Sequence, residues 1–126
     1  MANLTSAGAV FLAQATINDS PTFFSAGVNA YLGAGSGTTA FSIAQTDLVT
    51  PLSPNPRKVA TVTRASGVLT FVATYAASDA VGAFEEIGIF NASSGGTMLA
   101  RKAEALGAKS GSQVWTVTVT ATYTAA

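Results

Sequence analysis

The last third of the chain carries its clearest pattern. Trp115, Val117, Val119, Ala121 and Tyr123 alternate with Thr116, Thr118, Thr120 and Thr122. Such period-two alternation predicts a strand with one buried face and one threonine-lined, solvated face. Threonine suits that outer face because it favours strands without being strongly apolar. Arg57–Arg64 alternates in the same way, with Val59, Thr61 and Thr63 against Ala60 and Val62, and reads as one strand. Ala65-Ser66-Gly67 predicts a three-residue hairpin connection with Gly67 at the positive-φ position. Val68–Tyr75 then returns with Leu69, Phe71, Ala73 and Tyr75 on one face. Phe84–Asn91 and Thr97–Glu104 form a second pair around a tip at Asn91–Gly96, and a loop over Leu106–Ser112 leads into the final strand.

The first half is less regular. Residues 5–17 form the one predicted helix, capped by Thr5 or Ser6, with Val10, Phe11, Gln14 and Ile17 tracing a partly apolar face. Asn18-Asp19-Ser20-Pro21 stops it. Val28–Gly33 reads as a strand and Gly33-Ala34-Gly35-Ser36-Gly37 as a flexible turn. From Thr38 to Pro56 the chain is irregular and ends in Pro51, Pro54 and Pro56, residues unsuited to a central strand. A connection this long inside a compact domain is either functional or an arm gripping a neighbour. These elements predict a mainly β fold: a single antiparallel β-sandwich or barrel-like domain over residues 1–126. It comprises an N-terminal helix or arm (1–27) and a β core (28–126) carrying the irregular, Pro-rich 38–56 loop. Trp115, Phe71 and Tyr75 are the expected centre of the core.

Composition narrows the function. The chain has 126 residues, 48% of them apolar and only 10% charged, against about 25% charged in an average domain. Six basic and six acidic residues cancel. A neutral, charge-poor surface tends to associate, and it lacks the cations that non-specific nucleic-acid binding requires. Arg57-Lys58 and Arg101-Lys102 read as solvated strand ends. No apolar run is long enough for a membrane helix. The stretch Met1–Ala15 has no positive leader, since the first Lys or Arg is Arg57, so it does not read as a secretion signal.

Histidine and cysteine are both absent. That excludes Ser-His-Asp and Cys-His chemistry and the usual zinc sites. Glu85 and Glu86 point to opposite faces of a strand and read as surface carboxylates, while Asp19, Asp47, Asp79 and Glu104 show no calcium-loop spacing. The glycine run 33–37 lacks the Lys-Ser/Thr end of a phosphate loop. The expectation is a non-enzymatic protein with no cofactor and no metal. Exposed tyrosines leave a carbohydrate-binding module as a further reading.

Several segments resemble a known group. The run Asn29–Phe41 with Ala44-Gln45-Thr46-Asp47-Leu48, then Arg57-Lys58, Leu69-Thr70-Phe71, Glu86–Arg101 and Glu104-Ala105-Leu106-Gly107 before Trp115 resemble small virion proteins of tailed bacteriophages. The resemblance spans roughly residues 29–123, and its most specific part is Gly88-Ile89-Phe90-Asn91-Ala92-Ser93-Ser94-Gly95-Gly96-Thr97-Met98-Leu99. It implies a capsid cement or decoration protein on the capsid exterior. Its partners would be the major capsid protein and its own copies, as a trimer, with neither nucleic acid nor membrane. A related strand occurs in tail-fibre and tail-collar proteins, so a tail or adaptor component is the alternative. Met1–Phe24 and Ser42–Pro56 are the expected gripping arms, with Val10, Phe11, Phe23, Phe24, Phe41, Leu48, Pro51 and Pro54 as candidate partner-binding residues. On that view, removing residues 1–20 leaves a folded β domain that no longer binds.

Overall fold

The computed structural model describes residues 3–123. Two antiparallel sheets face each other in a sandwich-like arrangement that does not close into a barrel. The strands are β1 (Asn3–Leu4), β2 (Tyr31–Gly35), β3 (Arg57–Val59), β4 (Thr61–Ala65), β5 (Val68–Tyr75), β6 (Gly82–Phe90), β7 (Met98–Lys109) and β8 (Trp115–Thr122), with one helix, α1 (Ser6–Thr16). The larger sheet runs β1-β7-β6-β2-β3 and the smaller β4-β5-β8.

The predicted strand Arg57–Arg64 is divided between the two sheets. It breaks at buried Ala60, whose N–H donates to Ala30 O at 2.7 Å, so β3 extends the larger sheet and β4 opens the smaller. Alternation continues through the crossing, which is why the pattern reads as one element. The β4–β5 hairpin turns on two residues, Ser66 and Gly67, and the positive φ belongs to Ser66 rather than Gly67. Gly67 is small for another reason: a Cβ there would stand 2.5 Å from Tyr123 O.

Phe71, Ala73 and Tyr75 of β5 and Val117 and Ala121 of β8 meet Leu32, Ala34, Phe84, Ile87 and Ile89 from the larger sheet. Phe71, Tyr75 and Phe84 are fully buried, whereas Trp115 is only half-buried, tilted against Phe84 at 4.9 Å between ring centroids. The Tyr75 hydroxyl lies within hydrogen-bonding reach of Leu32 O and Pro56 O, at 2.9 and 3.0 Å, and so ties the sheets together. Burial pushes the Tyr75 hydroxyl up from its ordinary range, so it remains a donor. The threonine face of β8 is exposed along its whole length, as its alternation predicts.

Two strand boundaries and the inward face of the helix differ from the sequence reading. Strand β7 continues to Lys109, through most of the expected 106–112 loop, pairing Gly107–Lys109 with Gly82–Phe84. Strand β2 covers Tyr31–Gly35, so Gly33-Ala34-Gly35 is not a flexible turn but the middle of a sheet, paired on both sides. Helix α1 is capped by Thr5, whose Oγ1 accepts the Gly8 N–H at 2.9 Å. Its inward face, however, centres on Gly8, packed against the Leu99 carbonyl, while Val10 and Ile17 are 60% and 75% exposed. The Thr5 hydroxyl donates to Met98 O and its N–H to Leu99 O, and β1 pairs with β7. Residues 3–16 are therefore a docked part of the domain rather than a free arm. Removing residues 1–20 would strip β7 of its outer neighbour, β1, and Leu99 of its cover.

Candidate functional site

Alternation along β6 sends Ile87 and Ile89 into the inter-sheet core and Glu86, Gly88 and Phe90 to the opposite face. All five are buried, because that opposite face is covered too. The cover is the 37–49 segment, which lies over the larger sheet as a third layer before residues 50–56 return along the edge of β2.

A buried ion pair fixes it there. Arg101 of β7 and Glu86 of β6 are both fully buried, and Arg101 Nε donates to Glu86 Oε1 at 2.9 Å. Glu86 also accepts the backbone N–H groups of Gly37 (3.0 Å), Val49 (2.9 Å) and Thr50 (2.8 Å). The other guanidinium nitrogens donate to Gln45 Oε1 at 3.2 Å and Thr39 O at 3.0 Å. Five points of the covering loop thus converge on one pair. This corrects the reading of Glu86 as a surface carboxylate and Arg101 as a solvated strand end. A buried pair is tolerable only when such hydrogen bonds satisfy it. Among the described residues, no buried side-chain nitrogen or oxygen lacks a partner.

The rest of the layer is apolar. Leu48, Phe90 and Met98 form a second core cluster, with Tyr31 against it. Arg57 covers the Phe90 ring, its guanidinium carbon 3.5 Å from the ring centroid. It also donates to Ala92 O and Gly95 O, both at 2.9 Å, and to Asp47 Oδ1 at 3.2 Å, so it clamps the 91–96 turn and is not a solvated cation. Asn91 closes that turn from within: its Oδ1 accepts the Thr97 N–H at 2.7 Å and its Nδ2 donates to Thr22 O at 2.9 Å. Ser93–Gly96 form an exposed tip.

A second polar cluster anchors the end of the loop. Asp79 accepts from Lys58 Nζ and Asn55 Nδ2, each at 2.8 Å, and Lys109 Nζ, buried, donates to Ala76 O and Asp79 O. The Lys58 hydrogen bond, followed by that from Asn55, holds the Asp79 carboxyl below its ordinary value. The unfolded chain binds that proton more readily, so this stabilisation is present above the ordinary aspartate pKa of about 3.9. It is lost as pH falls through the lower, folded value. Acid denaturation should therefore show Asp79→Asn converging on the wild type below about pH 4, with the stability gap between them open at neutral pH. A gap independent of pH would contradict the assignment.

The candidate partner-binding residues separate into two groups. Phe11, Phe23 and Phe24 come together: Phe11 meets Phe24 and Phe23 edge-on, at 4.8 and 6.3 Å between centroids. They line a shallow apolar groove of about 210 Å³ with Leu12, Val62 and Leu69. Val10 stands exposed one residue away on α1, and Phe23 is 51% exposed. Phe41, Leu48, Pro51 and Pro54 do not join them. Leu48 is buried against Phe90 and Met98 of the larger sheet, Phe41 is half-buried, Pro51 bridges to Gly35, and Pro54 is exposed after a cis peptide bond. A cleft of about 470 Å³ of mixed character lies between Asp47, Pro51, Arg57 and the Ser93–Gly95 tip. Its arginine is already committed to the clamp. Among the described residues, no cluster of His, Cys, Asp or Glu could hold a metal ion, and no helix is long and apolar enough to cross a membrane.

Comparison with protein-family models, with curated proteins and with solved structures finds no match.

Proposed function

We propose that this chain is a non-enzymatic virion structural protein, a cement subunit on the exterior of a tailed-phage capsid that bridges neighbouring major capsid subunits. The observation that carries the reading is where its apolar surface lies. Val10, Ile17, Phe23 and Val28, 60%, 75%, 51% and 63% exposed, give α1 and the segment after it the largest share of exposed apolar side chains, with Ile43 and Val114 exposed elsewhere. They sit on a protein with only six basic and six acidic residues. Exposed apolar side chains beside the Phe11–Phe23–Phe24 groove, on a charge-poor surface, favour an interaction site, and the Gly88–Leu99 resemblance suggests the kind of particle. The mechanism is burial. A standard interface covers about 1,200–2,000 Å², and many weakly held copies reinforce one another through avidity.

The test is binding of the purified full chain to capsid shells that lack it, with copies counted per particle. Hundreds of copies support the shell reading. A few to a few tens of copies place the protein in the tail, the alternative station, and no binding overturns both. Val10→Asp with Ile17→Asp is expected to lower shell affinity at least about tenfold, the equivalent of 1.4 kcal/mol, with the melting temperature unchanged. Undiminished binding by that variant would move the interface elsewhere.

A further inference from the structure

We propose that β8 is a self-association edge, on which a second copy of this chain adds its own β8 in antiparallel register about a twofold axis. This rests on the geometry of β8 alone and stands whether or not the protein belongs to a capsid.

The four sheet edges differ sharply. Strand β1 has two residues, β3 has three and carries Arg57 and Lys58 directly after Pro56, and β4 has five with Arg64 among them. These are the usual safeguards against edge-to-edge pairing: short length, charge and proline. Strand β8 has none of them. It runs eight residues, pairs with β5 at eight consecutive positions without a register shift, and contains no charged residue, glycine or proline. On an antiparallel edge, every second residue directs its N–H and C=O away from the sheet. Among the described residues, no side chain and no other backbone segment hydrogen-bonds to the outward groups of β8.

Its side-chain pattern selects a copy of itself as the occupant. Thr116, Thr118, Thr120 and Thr122 are exposed on one face, and Val117 and Ala121 are buried on the other. When two such strands pair antiparallel about an axis passing at one residue, threonine falls opposite threonine and the apolar residues Trp115, Val117, Val119 and Ala121 fall opposite apolar residues. Both faces then continue across the junction. No charge opposes another because the strand has none. Space is also available beside the edge. Two open grooves, of about 150 and 230 Å³, run beside β8 and are lined by Ile87, Phe84, Leu106 and residues of β8, with the oppositely charged Lys102 and Glu104 of β7 at the rim of the first. Inward side chains of an added strand would enter them and cover Leu106, now 44% exposed. The contact is isologous and links copies in pairs, so a trimer would need a second, different interface.

Sedimentation equilibrium of the full chain tests this together with amide hydrogen exchange. A dimer is expected, and Thr118→Lys with Thr120→Lys should render it monomeric. The Thr118→Glu, Thr120→Glu variant should be monomeric alone and form a mixed dimer with the lysine variant. Circular dichroism confirms that each variant is folded. Independently of any substitution, the outward half of the β8 amides in the wild type should be protected in concentrated samples and lose protection on dilution. A wild type that stays monomeric across the micromolar range overturns the proposal. So does an oligomer that the lysine pair leaves intact, or β8 exchange that does not depend on concentration.

Discussion

Arg101→Met is expected to destabilise the fold by about 3–5 kcal/mol, the cost of leaving a buried charge without its partner. The orphaned charge is Glu86, fully buried at the centre of the loop-covered face. The companion experiment is more discriminating. Replacing both members of a buried pair by apolar residues is often neutral or stabilising, and here it should not be. The Glu86 carboxylate accepts three backbone N–H groups, from Gly37, Val49 and Thr50, besides the arginine. Glu86→Leu with Arg101→Met leaves those donors without an acceptor, at about 1–3 kcal/mol for each that stays buried. The double variant should therefore remain well below the wild type in urea denaturation, with exchange of the Gly37, Val49 and Thr50 amides accelerated beyond that of the core. A double variant as stable as the wild type would show that the pair does not hold the loop.

How much of this was legible depends on the range over which each residue acts. The threonine ladder of β8, the β5 core face and the Thr5 cap are written in neighbouring residues, so local periodicity reveals them. The third layer is not. A proline-rich stretch of 38–56 looks the same whether it grips another subunit or covers its own sheet, and the groups that decide between these, Glu86 and Arg101, lie 36 to 62 residues away in sequence. Two charged residues inside an apolar strand pair were the available signal. Arg101 follows directly on Met98-Leu99-Ala100, and Glu86 precedes Ile87-Gly88-Ile89-Phe90. The candidate site divides in the same way. Phe11, Phe23 and Phe24 converge near the surface, whereas Leu48 serves the fold. An apolar residue in an irregular segment carries no mark of which side it faces.

This reassigns the loop's role. Ile43 and Val49, 63% and 44% exposed, are presented on a segment tied to the sheet through Glu86 and Arg101 rather than on a mobile arm. A partner reaching this face would meet a surface whose ordering has already been provided by the fold, which lowers the entropic cost of binding. Mutations of Glu86 or Arg101 should therefore weaken any contact made there even though neither charge is accessible.

Gly35→Ala tests the same layer from beneath and is expected to cost about 3 kcal/mol, at the upper end of overpacking effects. Gly33-Ala34-Gly35-Ser36-Gly37 resembles a flexible turn, yet Gly35 does not have a positive φ and the backbone there could accept alanine. In an ordinary strand the change would help by roughly 0.5–1 kcal/mol, because glycine loses more entropy on folding. Here the added Cβ would collide with the Glu86 carboxylate and come within 2.7 Å of Thr50 O. The carboxylate cannot yield without breaking the hydrogen bonds that hold the loop, and the carbonyl belongs to the loop itself. Gly111→Ala is the matched control, since nothing lies closer than 3.9 Å to its Cβ position and its φ is not positive. It should stay within about 0.5 kcal/mol of the wild type. Urea denaturation of the two variants side by side measures the difference, and the expected gap comes from sterics because neither site demands a glycine conformation. Equal stabilities would mean that the 36–50 segment does not press on β2, and the third layer would then be a loose flap instead of part of the core.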